Sequence, residues 1–317
     1  MNIHRCTSRL GALCLLLVIV SIIGTGCGVE HNTFFYKVTS KDGKKTGYLL
    51  GSIHVGKKSF YPFPKAIMDA FGASKALALE IPLDKESHKN SSAYQAFLKL
   101  RQPADDPSFS GIENSSTKEK LKLFCKKNQL DYDKLIRHRP FMIVAAIQSV
   151  GFTKAKFTFE DGIDRTFANL AKERKIPIVG LEDIDAHYKL AQQIFLHQDE
   201  STVANLLANP DAVSKGVELM WKLWKNGDEQ SLFYMTYGPF GHSFPLLDLL
   251  GVKTNDLLEK RNEIQAEGIV KFLQNKDKLF AIVGAGHLVG EQSVQKLLVK
   301  KGFTVEPIKY KFTKPIP

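Results

Sequence analysis

Two Gly-x-x-His segments stand near opposite ends of the chain, each directly after an apolar run typical of a β-strand. The first covers residues 51–54 and ends at His54, and the second covers residues 284–287 and ends at His287. A strand that ends in glycine and is followed by histidine places an imidazole at the rim of a sheet. Two such imidazoles from distant parts of one chain favour a composite site, and a metal ion is its simplest ligand.

Two carboxylates follow strand-like segments in the same way. Glu80 ends the apolar segment 75–80, and Glu182 ends the segment 176–182. Because loops at the carboxyl ends of strands meet at one edge of an α/β sheet, we expect the two carboxylates and the two histidines to converge. Imidazoles and carboxylates suit zinc, manganese, cobalt or iron, which lower the pKa of a bound water. A carboxylate outside the ligand set could then act as the general base.

Each of these residues also has an ordinary structural explanation. Glu80 could pair with a lysine at a strand end, and Glu182 begins an acidic stretch that suits the first turn of a helix. Asp164 fits a helix N-terminus equally well, and Arg261 fits the solvated face of a polar helix. No metal-pair spacing joins the histidines His88, His138, His187, His197 and His242.

The patterns around these residues predict an α/β fold with a mixed sheet. Segments 34–38 and 46–50 flank an Asp-Gly turn and predict a β-hairpin. Helical and strand patterns alternate at both ends of the chain, and helical patterns fill residues 85–150 and 185–275. We therefore predict one domain over residues 27–317, with a central mixed sheet, flanking helices and two helical insertions.

The N-terminus resembles a bacterial lipoprotein signal. Arg5 and Arg9 precede an apolar run at residues 10–23, which is short for a membrane span. Small residues then lead to Cys27, which predicts a signal peptide over residues 1–26 and a cysteine acylated by lipid chains such as palmitate. An ordinary signal peptide and an uncleaved anchor are the alternatives. We expect an exported protein, anchored by lipid on the extracytoplasmic side of a bacterial membrane, at the outer membrane or the cell surface.

Charge and cysteine content narrow the class of protein further. The net charge is +11, but the lysines are scattered and no helix-turn-helix or zinc-finger pattern appears. This argues against a nucleic-acid partner and favours a basic surface near an anionic membrane. Once Cys27 is acylated, Cys125 carries the single free thiol of the mature chain, so no intramolecular disulfide is expected. We expect Cys125 to be a buried helix residue without a catalytic role.

In this order, these residues resemble the TraB/GumN family, whose animal relatives include the Tiki metalloproteases. The resemblance extends over nearly the whole mature chain, and its longest block is the strand and glycine-rich turn at residues 281–290. It implies a mixed α/β fold shared with erythromycin esterase-like and haem-binding ChaN-like proteins. The other matching segments are residues 51–54, 77–80, 162–164, 180–182, 227–228 and 261–262.

The resemblance also implies roles for individual residues around a divalent manganese, cobalt or zinc ion. The implied metal ligands are His54, His287 and Glu182. The implied catalytic residues are Glu80, Arg261 and Asn262. Arg261 would stabilise charge that develops on the substrate. The residues implied to orient these groups without binding the metal themselves are Ser52, Asp164 and His187.

One position departs from the family pattern. Relatives usually carry a glutamine five residues after the glutamate of the Leu-Glu pair, where this chain has His187. Either this position only supports the ligands and tolerates change, or His187 alters the preference for the metal. Glu182 is therefore a less secure ligand than the two Gly-x-x-His histidines.

Two kinds of protein remain compatible with these residues. The first is a membrane-anchored, metal-dependent hydrolase, a peptidase in the family's manner or an esterase that acts on small molecules. The second is a non-catalytic lipoprotein that binds haem or a peptide on the same scaffold. The sequence favours the hydrolase, but it does not identify the substrate or separate peptidase from esterase.

Overall fold

The structure is a computed structural model of the 317-residue chain, and it describes residues 34–106, 109–237, 255–310 and 312. The predicted signal peptide and Cys27 lie outside the described residues, as does His242. Within the described ranges, no helix combines the length and the apolar character that crossing a membrane requires.

Six strands of the described residues form one sheet, in the order β4-β3-β5-β2-β1-β6. Their bounds are β1 (Phe35–Thr39), β2 (Thr46–Ser52), β3 (Ala76–Leu79), β4 (Ile178–Gly180), β5 (Leu279–Gly284) and β6 (Thr304–Pro307).

The sheet is mixed, which confirms the predicted fold class. Strands β4, β3, β5 and β2 are parallel, whereas β1 pairs antiparallel with both β2 and β6. The predicted hairpin consists of β1 and β2, whose register places Phe35 opposite Leu50. Because the four parallel strands point the same way, their carboxyl ends meet at one edge of the sheet.

Thirteen α-helices surround the sheet in the described part of the chain. In chain order they are α1 (Lys65–Gly72), α2 (Lys85–His88), α3 (Ser92–Leu100), α4 (Ser115–Asn128), α5 (Tyr132–Leu135), α6 (Pro140–Lys154), α7 (Ile163–Glu173), α8 (Ile184–Leu196), α9 (Glu200–Ala208), α10 (Ala212–Asn226), α11 (Glu229–Tyr237), α12 (Asn255–Asn275) and α13 (Val294–Lys300). Two short 3₁₀ turns cover Lys58–Phe60 and Ala285–Leu288.

The central strands are buried on both faces. Every residue of β3 and all but the last of β5 are buried. Phe280 of β5 stacks on Phe167 of α7 with ring centroids 5.3 Å apart, and Phe71 of α1 meets Phe167 edge-on at 5.0 Å. Parallel strands covered on both faces read as nearly continuous apolar runs, which is why these two strands are recognisable in the sequence.

Helices α4, α6 and α9 pack around a smaller core of their own. Leu121 of α4, Ile143 of α6 and Val203 of α9 are fully buried in it. Cys125 of α4 belongs to the same core and is buried, as its amphipathic helix predicts. These helices therefore stabilise one another through their own core, and the sheet positions the predicted site.

Candidate metal centre

The structure brings the four predicted strand-end residues to the same edge of the sheet. His54 follows β2 by two residues, Glu80 directly follows β3, and Glu182 follows β4 by two residues. His287 lies in the 3₁₀ turn that continues β5. Strands β2 and β5 are neighbours, so the two Gly-x-x-His segments leave the sheet side by side.

Three of these side chains surround Gly284, the last residue of β5. A methyl group added to its Cα would lie 3.3 Å from Glu80 Oε1 and 3.6 Å from His54 Nε2. The same methyl group would lie 3.5 Å from His287 Cδ2. Glycine thus leaves open the space on which one carboxylate and two imidazoles converge.

His287 is the buried member of this group. Its Nδ1 lies 2.5 Å from Asn262 Oδ1, and the Asn262 amide nitrogen donates to the Gln292 carbonyl at 2.8 Å. Because the amide nitrogen is the donor, Asn262 Oδ1 must accept, so Nδ1 of His287 carries the hydrogen and Nε2 keeps its lone pair. Burial lowers the pKa of His287 to about 4, against the opposing effect of the Glu80 carboxylate.

His54 lies at the exposed end of the group, with 57% of its side chain accessible to solvent. Its Nδ1 lies 3.2 Å from the Asp164 carboxylate at the start of α7, so Nδ1 donates and Nε2 faces Gly284. The charge of Asp164 raises the pKa of His54 to about 9. Asp164 therefore orients the ring and favours its protonated form.

Glu80 lies between the two histidines. Its Oε1 accepts the Gly284 backbone N–H at 2.7 Å and lies 3.5 Å from His287 Nε2. Its Oε2 accepts from Arg261 Nη2 at 2.5 Å. Burial alone would raise the pKa of Glu80, but nearby positive charge outweighs burial and holds this pKa well below its usual range.

Glu182 is held by three side chains. Arg261 donates to it through Nε at 3.0 Å and Nη2 at 2.9 Å, and His187 Nδ1 lies 2.9 Å from its second oxygen. Gln265 Nε2 adds a third donor at 2.6 Å. Burial raises the pKa of Glu182, but the bond from His187 and the charge of Arg261 outweigh burial and lower it. Both carboxylate oxygens of Glu182 are therefore already occupied.

One face of α12 supplies the support behind these groups. Arg261, Asn262 and Gln265 project from the same part of this helix and are buried or nearly so. Gln265 was not among the residues predicted for the site. Its spacing of four residues from Arg261 was the available signal, because residues at i and i+4 share a helix face.

A cleft of about 180 Å³ opens over this edge of the sheet. The predicted residues that line it are Ser52, His54, Glu80, Asp164 and His187. Leu79 and Ile282, from the ends of β3 and β5, also line it. Four predicted residues do not line the cleft, namely Glu182, Arg261, Asn262 and His287. Of these, Arg261 contacts the cleft residue Glu80, whereas Asn262 contacts His287.

A different group of three side chains has the spacing of a metal site. Glu80, Glu182 and His187 each offer an atom within 4.8 Å of the others, a group that could hold a metal ion. Neither Gly-x-x-His histidine belongs to this combination. Since Nδ1 of His187 donates to Glu182, its Nε2 is the nitrogen left for a ligand or a proton.

Ser52, predicted to support the ligands, lies at the cleft without a hydrogen-bond partner among the described residues. Its side chain is buried and lines the cleft, yet its hydroxyl makes no hydrogen bond to any described residue. Holding the loop of His54 through this hydroxyl therefore stays a prediction.

Comparison with known proteins places the chain by family. The model of the TraB/PrgY/gumN family matches residues 34–307. No curated protein matches the chain, and no solved structure does.

Proposed function

The chain belongs to the TraB/PrgY/gumN family, and on this premise we propose that its cleft binds a divalent metal ion and hydrolyses a peptide bond. One observation carries the proposal. Three imidazoles each have Nδ1 bonded to an acceptor: His54 to Asp164 and His187 to Glu182, both at the cleft, and the buried His287 to Asn262.

This arrangement fits a metal site. Histidines that ligate a metal usually donate their second ring nitrogen to a carboxylate, a carbonyl or water, which fixes the tautomer and the direction of the free nitrogen. Imidazole and carboxylate together suit manganese, cobalt or zinc. We propose that Glu80, His54 and His287 hold the ion, because they surround the space above Gly284.

The alternative set replaces the two Gly-x-x-His histidines with Glu182 and His187. Its weakness is Glu182, whose oxygens already accept from Arg261, Gln265 and His187. A metal bound there would have to displace the Arg261 guanidinium from at least one carboxylate. We therefore propose that Glu182 positions Arg261 and His187 rather than binding the ion.

When bound, such an ion polarises a carbonyl group and lowers the pKa of a water molecule. The protein's own residues would then orient the substrate and move protons. Because the pKa of Glu80 lies far below neutrality, Glu80 suits a ligand better than a general base, whose pKa should lie near the working pH. His187 Nε2 in the cleft is the group we propose to exchange a proton with the substrate.

Arg261 would act mainly through Glu80. Its Nε and Nη2 donate to carboxylates, and only Nη1 makes no hydrogen bond among the described residues. By holding Glu80 Oε2, Arg261 turns Oε1 towards His287 and Gly284. Stabilising charge on the substrate, the role that the sequence suggested, would fall to Nη1.

The size of the cleft favours a hydrolase over a haem carrier. Pockets that enclose a small molecule or cofactor usually have volumes of about 300–1,000 Å³. The cleft has about 180 Å³, which suits one peptide or ester group of a longer substrate.

Hydrolysis of a pool of fluorogenic peptides tests the proposal. We expect the full-length chain to lose activity with a chelator and regain it with manganese, cobalt or zinc. His187→Ala should lower activity by about 10²-fold or more, as expected for a group that transfers protons. His197→Ala changes an exposed histidine beyond the end of the same helix and should have no effect. Equal activity of the chelated and reloaded protein would contradict the proposal.

We also propose that the mature protein is lipid-anchored through Cys27 on the extracytoplasmic side of a bacterial membrane. Small residues before Cys27, after a short apolar run, support this location. Cys27→Ser should move the protein from the membrane fraction to the soluble fraction of expressing cells. Membrane retention of the variant would instead favour an uncleaved anchor.

A further inference from the structure

A second concave surface lies along the free edge of the sheet. A groove of about 450 Å³ runs between residues 179–183 on one side and the C-terminal half of α12 on the other. Strand β4 is the last strand on this side of the sheet in the described residues. One wall of the groove is therefore an edge strand, and the other is a helix.

The outer edge of β4 presents backbone groups that pair with no strand of the described residues. Pro177 C=O accepts from the Leu77 N–H, and the Leu181 N–H donates to Leu79 C=O, both towards β3. Alternate residues of a strand turn their N–H and C=O to opposite sides, so Ile178 and Gly180 direct theirs away from β3. Such an edge is a template for another strand.

The helix side of the groove contacts the end of β4 at a glycine. A Cβ atom on Gly268 would come within 3.0 Å of Leu181 C=O, so glycine lets α12 pack closely against the end of β4. Further along α12, Phe272 forms a half-buried apolar wall. Lys271 and Lys276 stand exposed beside it, and no salt bridge of the described residues includes either lysine. The exposed acid on the opposite wall, Asp183, accepts the Ala186 N–H at the start of α8.

We propose that this groove binds an extended peptide with acidic side chains, which adds to β4 as a further strand. Backbone hydrogen bonds to Ile178 and Gly180 would give the affinity. The side chains of an added strand alternate, so Phe272 would take apolar ones, and Lys271 and Lys276 would take carboxylates.

The groove also lies beside the proposed active site. The segment after β4 continues along β3, with the Glu182 N–H donating to Glu80 C=O at 2.9 Å. A peptide on β4 would therefore be held next to the carboxyl edge of the sheet, where the cleft opens. The inference rests on the proposed function, because it names the substrate class for that site.

Fluorescence anisotropy of the full-length chain tests the charge preference. The probe is a synthetic peptide of alternating glutamate and valine, compared with one of alternating lysine and valine, and a chelator prevents cleavage. The glutamate peptide should bind at least about tenfold more tightly, a difference of about 1.4 kcal/mol. No binding of the glutamate peptide, or equal binding of both peptides, would overturn the inference.

Two double variants separate this groove from the general charge of the protein. Lys271→Glu with Lys276→Glu should weaken the glutamate peptide by about tenfold or more. Lys122→Glu with Lys126→Glu makes the same change of charge on exposed positions of α4 and should leave the affinity unchanged. Equal losses in the two double variants would overturn the inference.

Amide hydrogen exchange tests strand addition directly. With the glutamate peptide bound, the amide hydrogens of Ile178 and Gly180 should exchange more slowly. Unchanged exchange at both would overturn the inference. A chain that binds the peptide on β4 but hydrolyses nothing would contradict the proposed function alone. A chain that hydrolyses peptides with no effect of the lysine variants would contradict this inference alone.

Discussion

The two Gly-x-x-His segments leave neighbouring parallel strands, yet their histidines lie in opposite electrostatic environments. His287 is buried, is bonded to the neutral amide of Asn262, and has a pKa lowered to about 4. His54 is more than half exposed, is bonded to the charged Asp164, and has a pKa raised to about 9. The same short motif therefore supplies one imidazole that is neutral at neutral pH and one whose protonated form is favoured.

This difference separates two contributions: the motif sets the position of each imidazole, and the surrounding residues set its protonation state. The motif places each imidazole at the carboxyl edge of the sheet, on either side of Glu80. The hydrogen-bond partner of Nδ1 then determines whether the imidazole is neutral in the protein without a metal ion. At the proposed metal site, His287 would bind an ion at neutral pH without losing a proton, whereas His54 would first have to release one.

The largest effect is expected on the buried side, from Asn262→Ala. This change leaves His287 Nδ1 and the Gln292 carbonyl without partners, and each buried polar group left unpaired costs about 1–3 kcal/mol. We expect urea unfolding to show a loss of about 2–4 kcal/mol. Asn275→Ala removes a similar amide-to-carbonyl bond at an exposed position of the same helix and should cost less than about 1 kcal/mol. Equal losses would show that Asn262 has no special part.

The next effect concerns the space between the two histidines. Gly284 has a φ of −54°, which any residue adopts, so Gly284→Ala should fold normally and crowd only the converging side chains. We expect metal affinity in calorimetry to fall by about tenfold, equivalent to about 1.4 kcal/mol. Gly286→Ala serves as the control, because Gly286 lies in the turn that follows Gly284 and its added methyl group would crowd Thr236 but no predicted ligand. Equal affinity of Gly284→Ala and the wild type would place the ion elsewhere.

A smaller effect is expected on the exposed side, in the pH dependence of metal uptake. His54 keeps its proton up to a pH of about 9, so metal affinity should fall as the pH falls below that value. Asp164→Asn removes the charge that raises this pKa and should shift the uptake curve to lower pH by about one to two units. Asp161→Asn changes a carboxylate in the preceding loop, bonded to Thr158 instead, and should leave the curve in place. An unshifted curve for Asp164→Asn would mean that His54 does not bind the ion.

The smallest effect is expected from making the first segment resemble the second. Ser52 and Ala285 occupy equivalent positions of the two segments, and Ser52→Ala removes a buried hydroxyl without a described partner. The free energy of unfolding should change by less than about 1 kcal/mol, as for Ser293→Ala at another such hydroxyl. A larger loss in thermal or urea unfolding would reveal a structural bond of Ser52 and restore its predicted supporting part.

The sheet could be predicted well because its central strands are continuous apolar runs and its hairpin contains a recognisable turn sequence. The central strands β3 and β5 are apolar throughout, and the Asp-Gly turn marks the hairpin of β1 and β2. Strand β4 was predicted over residues 176–182 but covers only Ile178–Gly180. Its residues lie at the sheet edge and are half-buried or exposed, so the apolar pattern continues beyond the paired residues.

The site could be predicted in its residue types but not in its contacts. Residues at the ends of parallel strands must share one edge, so the convergence of His54, Glu80 and His287 follows from the pattern alone. The pairing of Arg261 with both glutamates does not, because it depends on how α12 crosses the sheet. Gln265 was missed for the same reason.

The central claim is that the two Gly-x-x-His histidines bind one metal ion together with Glu80. Metal content of the full-length chain, measured beside His54→Ala, His287→Ala and Glu182→Gln, tests it most directly. The account predicts about one equivalent of a divalent transition metal, lost in both histidine variants and largely kept in Glu182→Gln. Metal kept in both histidine variants but lost in Glu182→Gln would contradict it and assign the ion to Glu80, Glu182 and His187.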